Sequence, residues 1–408
     1  MRSKKVIFSA IDVGTTKVAA IVANLSETQS FQVLGVGVVP STGLRKGIVT
    51  NIDEAKASVR DAASKAEQAS GIPMESAYVG ITGNHISSMN TRSAIAITRG
   101  DQLVNTDDLK RVLQSARTVN VAKDRELLHV IPRDYILDGH EGIKNPVGMH
   151  GFRLDADSHV VTAAAASVRN LVKCIRGAGV EVEDVVLEPL ASGGAVLRPD
   201  ERANGVVLID IGGGTTDVAI FKEGNVWHTT VLPVGGYQIT RDIAIGLGIP
   251  FEVAEGLKLK YGRLSPAANG VAGSSEAPTG VENGHGIMKQ DVNDIIRARA
   301  EEILRLTLVE LPAVDILTVA PSGVVLTGGS AKLPGMDALC SEAFRAPCRI
   351  GVPHNIHGLT DLLYHPAYAT SVGLLLRGSM AEESGSNSHR PSHLRRWFFR
   401  AKRSLSRK

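Results

Sequence analysis

The chain has 408 residues, enough for two or more domains with separate hydrophobic cores. Its 43% hydrophobic and 21% charged residues are ordinary for a globular protein. The formal charge of +3 hides an asymmetry, because His393–Lys408 holds seven Lys/Arg and no acid, and removing those seven charges from +3 leaves −4 on the rest. Basicity is therefore a property of the tail, which excludes a general nucleic-acid-binding surface.

The cysteine spacing indicates a reducing compartment, and the N-terminal pattern argues against a signal peptide. The three cysteines at positions 174, 340 and 348 show no CxxC spacing, which excludes a disulfide framework and a zinc site. A basic start precedes a short apolar run, but Asp12 ends that run and no small-residue cleavage site follows. We therefore expect a cytosolic first strand rather than a signal peptide. No apolar stretch approaches the roughly 20 residues that a spanning helix needs.

In chain order, the pattern predicts strands at 5–11, 18–24 and 31–40, then a helix at 52–70 that stops at Gly71. Alternating strands and helices continue to Val168, and a further helix ends at Gly177. A second strand–loop–strand unit spans 206–221. It repeats the first unit: apolar strand, Asp, apolar residue, Gly, Thr-Thr, charged residue, apolar strand. This self-similarity predicts two related α/β domains that face each other.

The last third of the chain mixes ordered and low-complexity segments. Residues 265–286 are rich in Gly, Ala and Ser and are expected to form a flexible loop. Residues 292–311 have a helical pattern, and the buried strand from Val324 opens into Gly328–Gly329. An apolar helix is predicted at 369–376, followed by a polar linker at 379–392 and a short amphipathic helix at 394–405.

Both Asp-x-Gly-(Gly-Gly)-Thr-Thr turns are suited to hold phosphates, because glycine lets backbone N–H groups approach phosphate oxygens. The predicted cofactor-binding residues of these loops and of the third Gly-rich strand end are Asp12, Gly14, Thr15, Thr16, Lys17, Gly212, Gly213, Gly214, Thr215, Thr216, Gly328 and Gly329. Asp12 and Asp210 are predicted to hold Mg²⁺ through its water molecules. The chain has no Walker A motif.

These loops resemble those of the actin, Hsp70 and sugar-kinase superfamily, with 187–192 and 368–376 matching its two interdomain connections. The resemblance implies a two-lobed α/β fold with ATP held between the lobes. It also implies catalytic roles for Glu188, which would position the attacking water, and for Asp210. Capping of the helix at Pro189 is the alternative role for Glu188. Glu255 and Lys258 resemble residues that close over the ribose, although a solvated helix pair is equally compatible with their spacing.

Segments 80–86, 128–135 and 141–149 resemble the inserted subdomain, called 1C, of the FtsA family of actin-like bacterial cell-division proteins. The resemblance spans 5–376 and implies a division into subdomains. Its ranges are 1–84, 163–195 and 366–378 for 1A, 85–162 for 1C, 196–232 and 308–365 for 2A, 233–307 for 2B, 379–392 for the linker, and 393–408 for a membrane-targeting helix.

The resemblance to this family implies an adaptor that anchors the FtsZ ring at the cytoplasmic face of the bacterial membrane, at the division site. Implied partners are the FtsZ C-terminal peptide, later divisome proteins and further copies of the chain in filaments, but not nucleic acid. Arg299 and Glu302 match the surface that meets the peptide, unless they only stabilise their own helix. Hydrolysis would be slow or regulatory. The alternatives are another actin-like scaffold, such as the pilus-assembly protein PilM, or a small-molecule phosphotransferase.

The C-terminal segment predicts a helix that lies in a membrane interface. At 3.6 residues per turn, one face about 100° wide carries Leu394, Trp397, Phe398, Ala401 and Leu405. Arginines occupy the opposite face, and Phe399 falls outside the apolar stripe. Such a helix is too short to cross a bilayer and suits an anionic surface. Docking to a partner protein and binding to nucleic acid are the alternatives.

Overall fold

The computed structural model describes residues 6–25, 30–117, 121–264, 276–277, 287–312 and 315–385. The predicted membrane helix and most of the predicted loop 265–286 therefore lie outside the described residues.

The strands are β1 (Ile7–Val13), β2 (Lys17–Leu25), β3 (Phe31–Pro40), β4 (Leu44–Arg45), β5 (Ile48–Val49), β6 (Ser76–Ile81), β7 (Ile86–Ala96), β8 (Arg125–Leu137), β9 (His140–Ile143), β10 (Arg153–Ala164), β11 (Glu181–Leu187), β12 (Val206–Ile211), β13 (Thr216–Lys222), β14 (Asn225–Leu232), β15 (Glu276–Ala277), β16 (Ile287–Met288), β17 (Val324–Thr327), β18 (Cys348–Ile350) and β19 (Ile356–Gly358). The helices are α1 (Ile52–Ser70), α2 (Thr106–Ala116), α3 (Ala165–Gly177), α4 (Glu188–Val196), α5 (Pro199–Asn204), α6 (Gly236–Leu247), α7 (Phe251–Tyr261), α8 (Lys289–Glu310), α9 (Ile316–Val319), α10 (Met336–Phe344) and α11 (Ala369–Gly385).

The two lobes share a five-stranded sheet topology, to which lobe I adds β19 beside β3. In lobe I the strand order is β11-β6-β1-β2-β3-β19, and in lobe II it is β14-β13-β12-β17-β18. Each sheet contains an antiparallel meander, β1-β2-β3 or β12-β13-β14, and two parallel strands beside its first strand. The internal repeat of the sequence thus corresponds to two copies of one architecture, whose first hairpins carry the two phosphate-loop motifs.

Helix α1 illustrates how the sequence sets local structure. Asn51 caps its first turn by accepting hydrogen bonds from the N–H groups of Asp53 and Glu54, and Gly71 ends it in the left-handed conformation, with φ of 69°. The helix packs closely on β3, where a Cβ at Gly35 would lie 2.8 Å from the Cβ of Ser70. Glycine at that strand position is required by this close approach.

The inserted subdomain forms a separate four-stranded antiparallel sheet of order β7-β10-β8-β9, covered by α2. Its own small core includes Val112, Leu137 and Leu154. Strand β14 of lobe II packs against this sheet, where Ser88 donates a hydrogen bond to the carbonyl oxygen of Thr229 at 2.7 Å. The insertion therefore contacts both the lobe that carries it and the facing lobe.

Helices α4 and α11 connect the lobes and cross each other tightly. A Cβ at Gly373 would overlap the backbone of Ala191, so glycine permits this crossing. Both helices contribute to a core shared by the two sheets, with Val372, Leu375 and Ala195 fully buried. Helix α11 continues to Gly385. The helix predicted at 369–376 therefore continues into the segment 379–392 that the sequence assigns to a linker. No described helix is long and apolar enough to cross a membrane.

Candidate functional site

The first phosphate-loop motif forms the tight turn between β1 and β2. The N–H of Gly14 donates to the carbonyl oxygen of Lys17 at 3.0 Å, which closes the turn. The Lys17 ammonium donates to the carbonyl oxygen of Ala367 at 2.6 Å and lies 4.8 Å from the centre of the Tyr368 ring. Lys17 is thus held at the N-terminal end of α11, beside the cleft between the lobes.

The second motif forms the equivalent turn between β12 and β13, and the two turns meet tip to tip. The N–H of Gly212 donates to the carbonyl oxygen of Thr215 at 2.9 Å. A Cβ at Gly213 would lie 2.5 Å from Cγ2 of Thr16, and one at Gly214 would collide with Thr15. The structure brings the predicted loop residues together, and only glycine fits where the loops meet.

The third Gly-rich segment closes on the second loop. Gly328 has φ of 88°, and a Cβ there would lie 2.5 Å from Oδ1 of Asp210. The Ser330 hydroxyl donates to the carbonyl oxygen of Gly212 at 3.3 Å, and the N–H of Gly236 donates to the same oxygen at 2.9 Å. The predicted third element therefore lies at this site, joined by the N-terminus of α6.

Two of the predicted carboxylates are buried where the connecting helix α11 begins. Asp12 accepts a hydrogen bond from the Ser371 hydroxyl at 2.8 Å, and Asp210 accepts one from the Thr370 hydroxyl at 3.3 Å. The same helix thus contacts one acid from each lobe. Movement of the lobes relative to α11 would change both contacts together.

Four acids, Asp12, Glu188, Asp210 and Asp217, share this cleft with the ammonium group of Lys17. Burial raises the pKa of Asp12, despite the neighbouring Lys17. Burial and the charge of Asp12 raise the pKa of Asp210 to about 6. Burial, with the charges of Asp12, Asp217 and Asp210, raises the pKa of Glu188 well above its ordinary value. The cleft floor therefore holds more carboxyl groups than Lys17 can keep ionised, and a cation bound there would favour their charged forms.

The donor set fits Mg²⁺ held largely by water and phosphate. Within the described ranges, no three carboxylate, imidazole or thiol groups lie close enough to hold a metal ion by themselves. Mg²⁺ commonly takes only one or two carboxylates and keeps several waters. Asp12 and Asp210 are the residues that would hold it, as the sequence predicted, and its charge would stabilise phosphate oxygens.

Glu188 occupies the first turn of α4, but no side-chain cap is formed there. Its side chain instead approaches β6, since a Cβ at Gly80 would lie 3.3 Å from its Cγ and 3.5 Å from its Oε1. The carboxyl group points at the acidic cluster rather than at the helix N–H groups. This geometry favours a role in the cleft over the capping alternative.

Glu255 and Lys258 also lie inside the site rather than on a solvated face. Their ion pair measures 2.7 Å, and the Lys258 side chain is 11% exposed. Lys258 donates to the carbonyl oxygen of Gly236 at 3.3 Å and to the Thr240 hydroxyl at 2.8 Å. Both residues therefore link α7 to the start of α6, beside the second phosphate loop.

Asp217 and Thr82 are site residues that the sequence did not predict as such. Asp217 pairs with Asp210 across the β12–β13 hairpin and accepts a hydrogen bond from the Thr82 hydroxyl of lobe I. Burial and neighbouring acids raise the pKa of Asp217 to about 8. Its position directly opposite Asp210 in a tight hairpin was the available signal.

Asp217→Asn is expected to stabilise the nucleotide-free protein at pH 8 but not near pH 4. Because the folded pKa of about 8 exceeds the ordinary value of 3.8, the folded form of this carboxyl retains a proton that the unfolded chain releases. Its contribution to stability is therefore lost as pH rises from about 4 to 8. If the substitution raises the free energy of unfolding at pH 8 by even 1 kcal/mol, the melting temperature should rise by about 2–4 °C.

Thermal melts at pH 5 and pH 8 measure this difference, with the exposed Asp61→Asn as the matched control. Asparagine at 217 retains an acceptor for Thr82, so loss of the hydrogen bond does not confuse the result. An equal shift at both pH values would show that Asp217 is not a titrating member of the cluster.

The predicted peptide-binding residues lie away from the phosphate loops, on α8. Arg299 and Glu302 are on α8, and Arg299 pairs with both Glu302 and Asp242 of α6, with 27% of its side chain exposed. Arg299 therefore joins two helices, and its replacement would also affect their packing. Leu394, Trp397, Phe398 and Leu405 lie outside the described residues.

Comparison with known proteins identifies the family. One family model, described as cell division protein FtsA, matches residues 207–373, and a second, the SHS2 domain inserted in FtsA, matches 83–162. The cell division protein FtsA of Pseudomonas aeruginosa is 41% identical over 376 residues, covering 92% of this chain and 90% of that protein. The chain belongs to the FtsA family. The FtsA of Neisseria meningitidis serogroup B is 36% identical over 411 residues, covering 97% of this chain and 99% of that protein.

Solved structures place this FtsA family member among actin-like folds. The PilM-PilN type IV pilus biogenesis complex matches with a TM-score of 0.64, at 15% identity, over 92% of this chain and 99% of that chain. MreB5 of Spiroplasma citri bound to ADP matches with a TM-score of 0.55, at 15% identity, over 94% of this chain and 99% of that chain. The MamK double helical filament matches with a TM-score of 0.52, at 14% identity, over 92% of this chain and 98% of that chain.

These comparisons confirm the predicted actin-like α/β fold and the predicted insertion. The insertion model, at 83–162, covers the whole range 85–162 that the sequence indicated and two residues before it. The PilM alternative is not favoured, because sequence relatives over most of the chain are cell-division proteins. The protein is an actin-like cell-division protein.

Proposed function

We propose that this FtsA family member binds ATP with Mg²⁺ between its lobes. The observation that carries the proposal is the tip-to-tip meeting of two glycine-rich turns above a cluster of buried acids. The turns supply N–H groups and hydroxyls for phosphates, and the acids suit the metal. The ADP-bound MreB5 neighbour supports nucleotide binding on this fold.

Any hydrolysis is proposed to be slow or regulatory and to depend on Glu188 and Asp210. Glu188 lies at the cleft floor with a raised pKa, and a bound cation would favour the carboxylate form that can orient water and accept a proton. We expect Glu188→Gln to lower phosphate release by about 10²-fold, the usual contribution of such a group, while ATP affinity changes little. Single-turnover phosphate release and calorimetry measure the two effects separately.

Glu183→Gln, on the preceding strand β11 and exposed, is the matched control. Unchanged phosphate release in Glu188→Gln would remove Glu188 from the mechanism. Equal loss of ATP binding and turnover would instead assign it to nucleotide binding.

We further propose that the protein tethers FtsZ to the cytoplasmic face of the cell membrane at the division site, as a peripheral membrane protein. The C-terminal amphipathic pattern supports membrane attachment, and the family supports a role in division with later divisome proteins. Self-association is supported by the filament-forming MamK neighbour. The inserted subdomain is the proposed contact between copies.

The FtsZ C-terminal peptide is proposed to dock on α8. Beside Arg299 and Glu302, the outer face of this helix carries Leu306, which is 39% exposed, and Val309, which is 75% exposed. Apolar and charged groups on one exposed helix face form a surface on which a short peptide can dock. The internal stabilising role of the pair remains compatible with this surface, because Arg299 retains an exposed part.

Arg299→Glu is expected to weaken FtsZ peptide binding about tenfold, equivalent to ~1.4 kcal/mol. The change also brings three acids together, at positions 242, 299 and 302, so the double variant Arg299→Glu with Asp242→Arg serves as control, because it restores an opposite-charge pair between 299 and 242. Fluorescence anisotropy of a labelled peptide measures affinity. Recovery of peptide affinity in the double variant would assign Arg299 a structural role only. Affinity that stays low in the double variant would support direct contact between Arg299 and the peptide.

Recruitment of purified FtsZ to anionic liposomes by the full chain tests the combined function. FtsZ should sediment with liposomes only when this protein is present, and less with Arg299→Glu. Phosphorylation of a small-molecule acceptor without FtsZ recruitment would favour the phosphotransferase alternative.

A further inference from the structure

A cavity of about 420 Å³ opens between the lobes beside the two phosphate loops. Thr15 and Gly214, at the loop tips, form one end of it. The short β4–β5 hairpin of lobe I forms one wall, and the first turns of α6, with Tyr237, form the opposite wall. The cavity is therefore the mouth of the cleft, shared by both lobes.

The lining of this mouth is basic. Arg45 and Lys46 project from the hairpin, and Arg241 projects from α6. No ion pair between described residues includes any of the three. The one acid in the lining is Glu54, whose carboxylate accepts a hydrogen bond from the Asn51 amide at 2.7 Å. An excess of positive charge thus lies just outside the acidic floor.

The hairpin holds its cations in a defined position. Lys46 and Gly47 form its two-residue turn with φ of 51° and 75°, and Arg45 pairs with Ile48. Positive φ at both central positions is typical of a type I′ turn. A Cβ at Gly47 would lie 2.7 Å from the carbonyl oxygen of Thr82, so the turn packs directly on the end of β6. Lys46 accepts an unfavourable backbone conformation at this point.

We propose that this basic mouth is a phosphate-binding site that joins the two lobes, with Arg45 and Lys46 on one side and Arg241 on the other. The inference rests on the proposed nucleotide site and adds residues that the phosphate loops do not contain. A guanidinium group can bind two phosphate oxygens at once through two of its N–H groups. In a cleft lined by charges of one sign, the low-dielectric protein walls strengthen the electrostatic field that attracts an anion. A phosphate bound there would draw the hairpin and α6 together.

The phosphate is either the terminal group of bound ATP or a free phosphate ion in the cleft mouth. The two sources predict different losses in the double variant Arg45→Gln with Lys46→Asn. Asparagine is chosen at 46 because it tolerates positive φ. If the site holds the terminal phosphate, ATP affinity should fall at least about tenfold while ADP affinity stays unchanged. If it holds the free ion, binding of inorganic phosphate should fall instead.

Calorimetry on the full chain with Mg²⁺ measures ATP, ADP and inorganic phosphate, the last both with and without saturating ADP. Lys123→Gln, an exposed lysine of the inserted subdomain, is the matched control, and Arg241→Gln tests the opposite wall. Unchanged ATP-to-ADP preference and unchanged phosphate binding in the double variant would overturn the proposal. Wild-type protein that binds neither nucleotide would instead refute the proposed nucleotide site, while the phosphate titration would still decide the basic mouth.

Discussion

Gly213→Val is expected to abolish ATP binding, with a loss of at least about 10²-fold, or ~2.7 kcal/mol. A Cβ at this position would already lie 2.5 Å from Cγ2 of Thr16 in the opposite loop. The two further methyl groups of valine would occupy the space where phosphates approach the backbone N–H groups. The loops would be forced apart, and both the anion-binding geometry and the contacts between the lobes would be lost.

Isothermal titration with ATP and Mg²⁺ measures the effect, and circular dichroism checks that the lobes remain folded. Gly100→Val is the matched control, since a Cβ there meets no atom within 4 Å in the inserted subdomain. Wild-type affinity in Gly213→Val would contradict the nucleotide site. Loss of folding in both variants would mean that valine itself, rather than its position, causes the defect.

Truncation after Gly385 is expected to abolish sedimentation with anionic liposomes while ATP binding remains. The cut removes the predicted amphipathic helix but keeps the whole of α11, which the structure extends to Gly385. Each basic residue near an anionic surface contributes on the order of 1 kcal/mol, and the apolar face adds burial. One short helix should bind reversibly, and self-association would add avidity through many copies.

A single substitution separates the amphipathic face from the rest of the tail. Trp397→Glu lies on the apolar stripe and should remove most liposome binding, whereas Phe399→Glu, off the stripe, should remove less. Increasing salt should weaken wild-type binding because the basic face is screened. Full sedimentation of the truncated chain would refute the membrane-anchor proposal. Equal losses in the two point variants would refute the predicted helical face.

Residues that act within one turn or one helix could be predicted from the sequence. The two Asp-x-Gly turns are contiguous, and their glycines, threonines and leading carboxylates point to phosphate and metal chemistry before any tertiary contact is known. The termination of α1 at Gly71 and the insertion near 85–162 were also predicted, the first from local propensity and the second from a family resemblance. These predictions depend on short stretches of chain or on similarity of motifs.

Contacts between distant segments were decided only by the tertiary structure. Asp217 joined the acidic cluster because Thr82 of the other lobe meets it, and Glu188 faces that cluster rather than its own helix. Arg299 proved to link two helices, which its spacing to Glu302 alone does not indicate. The basic mouth likewise depends on residues about 200 positions apart in sequence, Lys46 and Arg241. Local pattern determines which groups are present, whereas burial and proximity across the lobes determine their charge, orientation and partners.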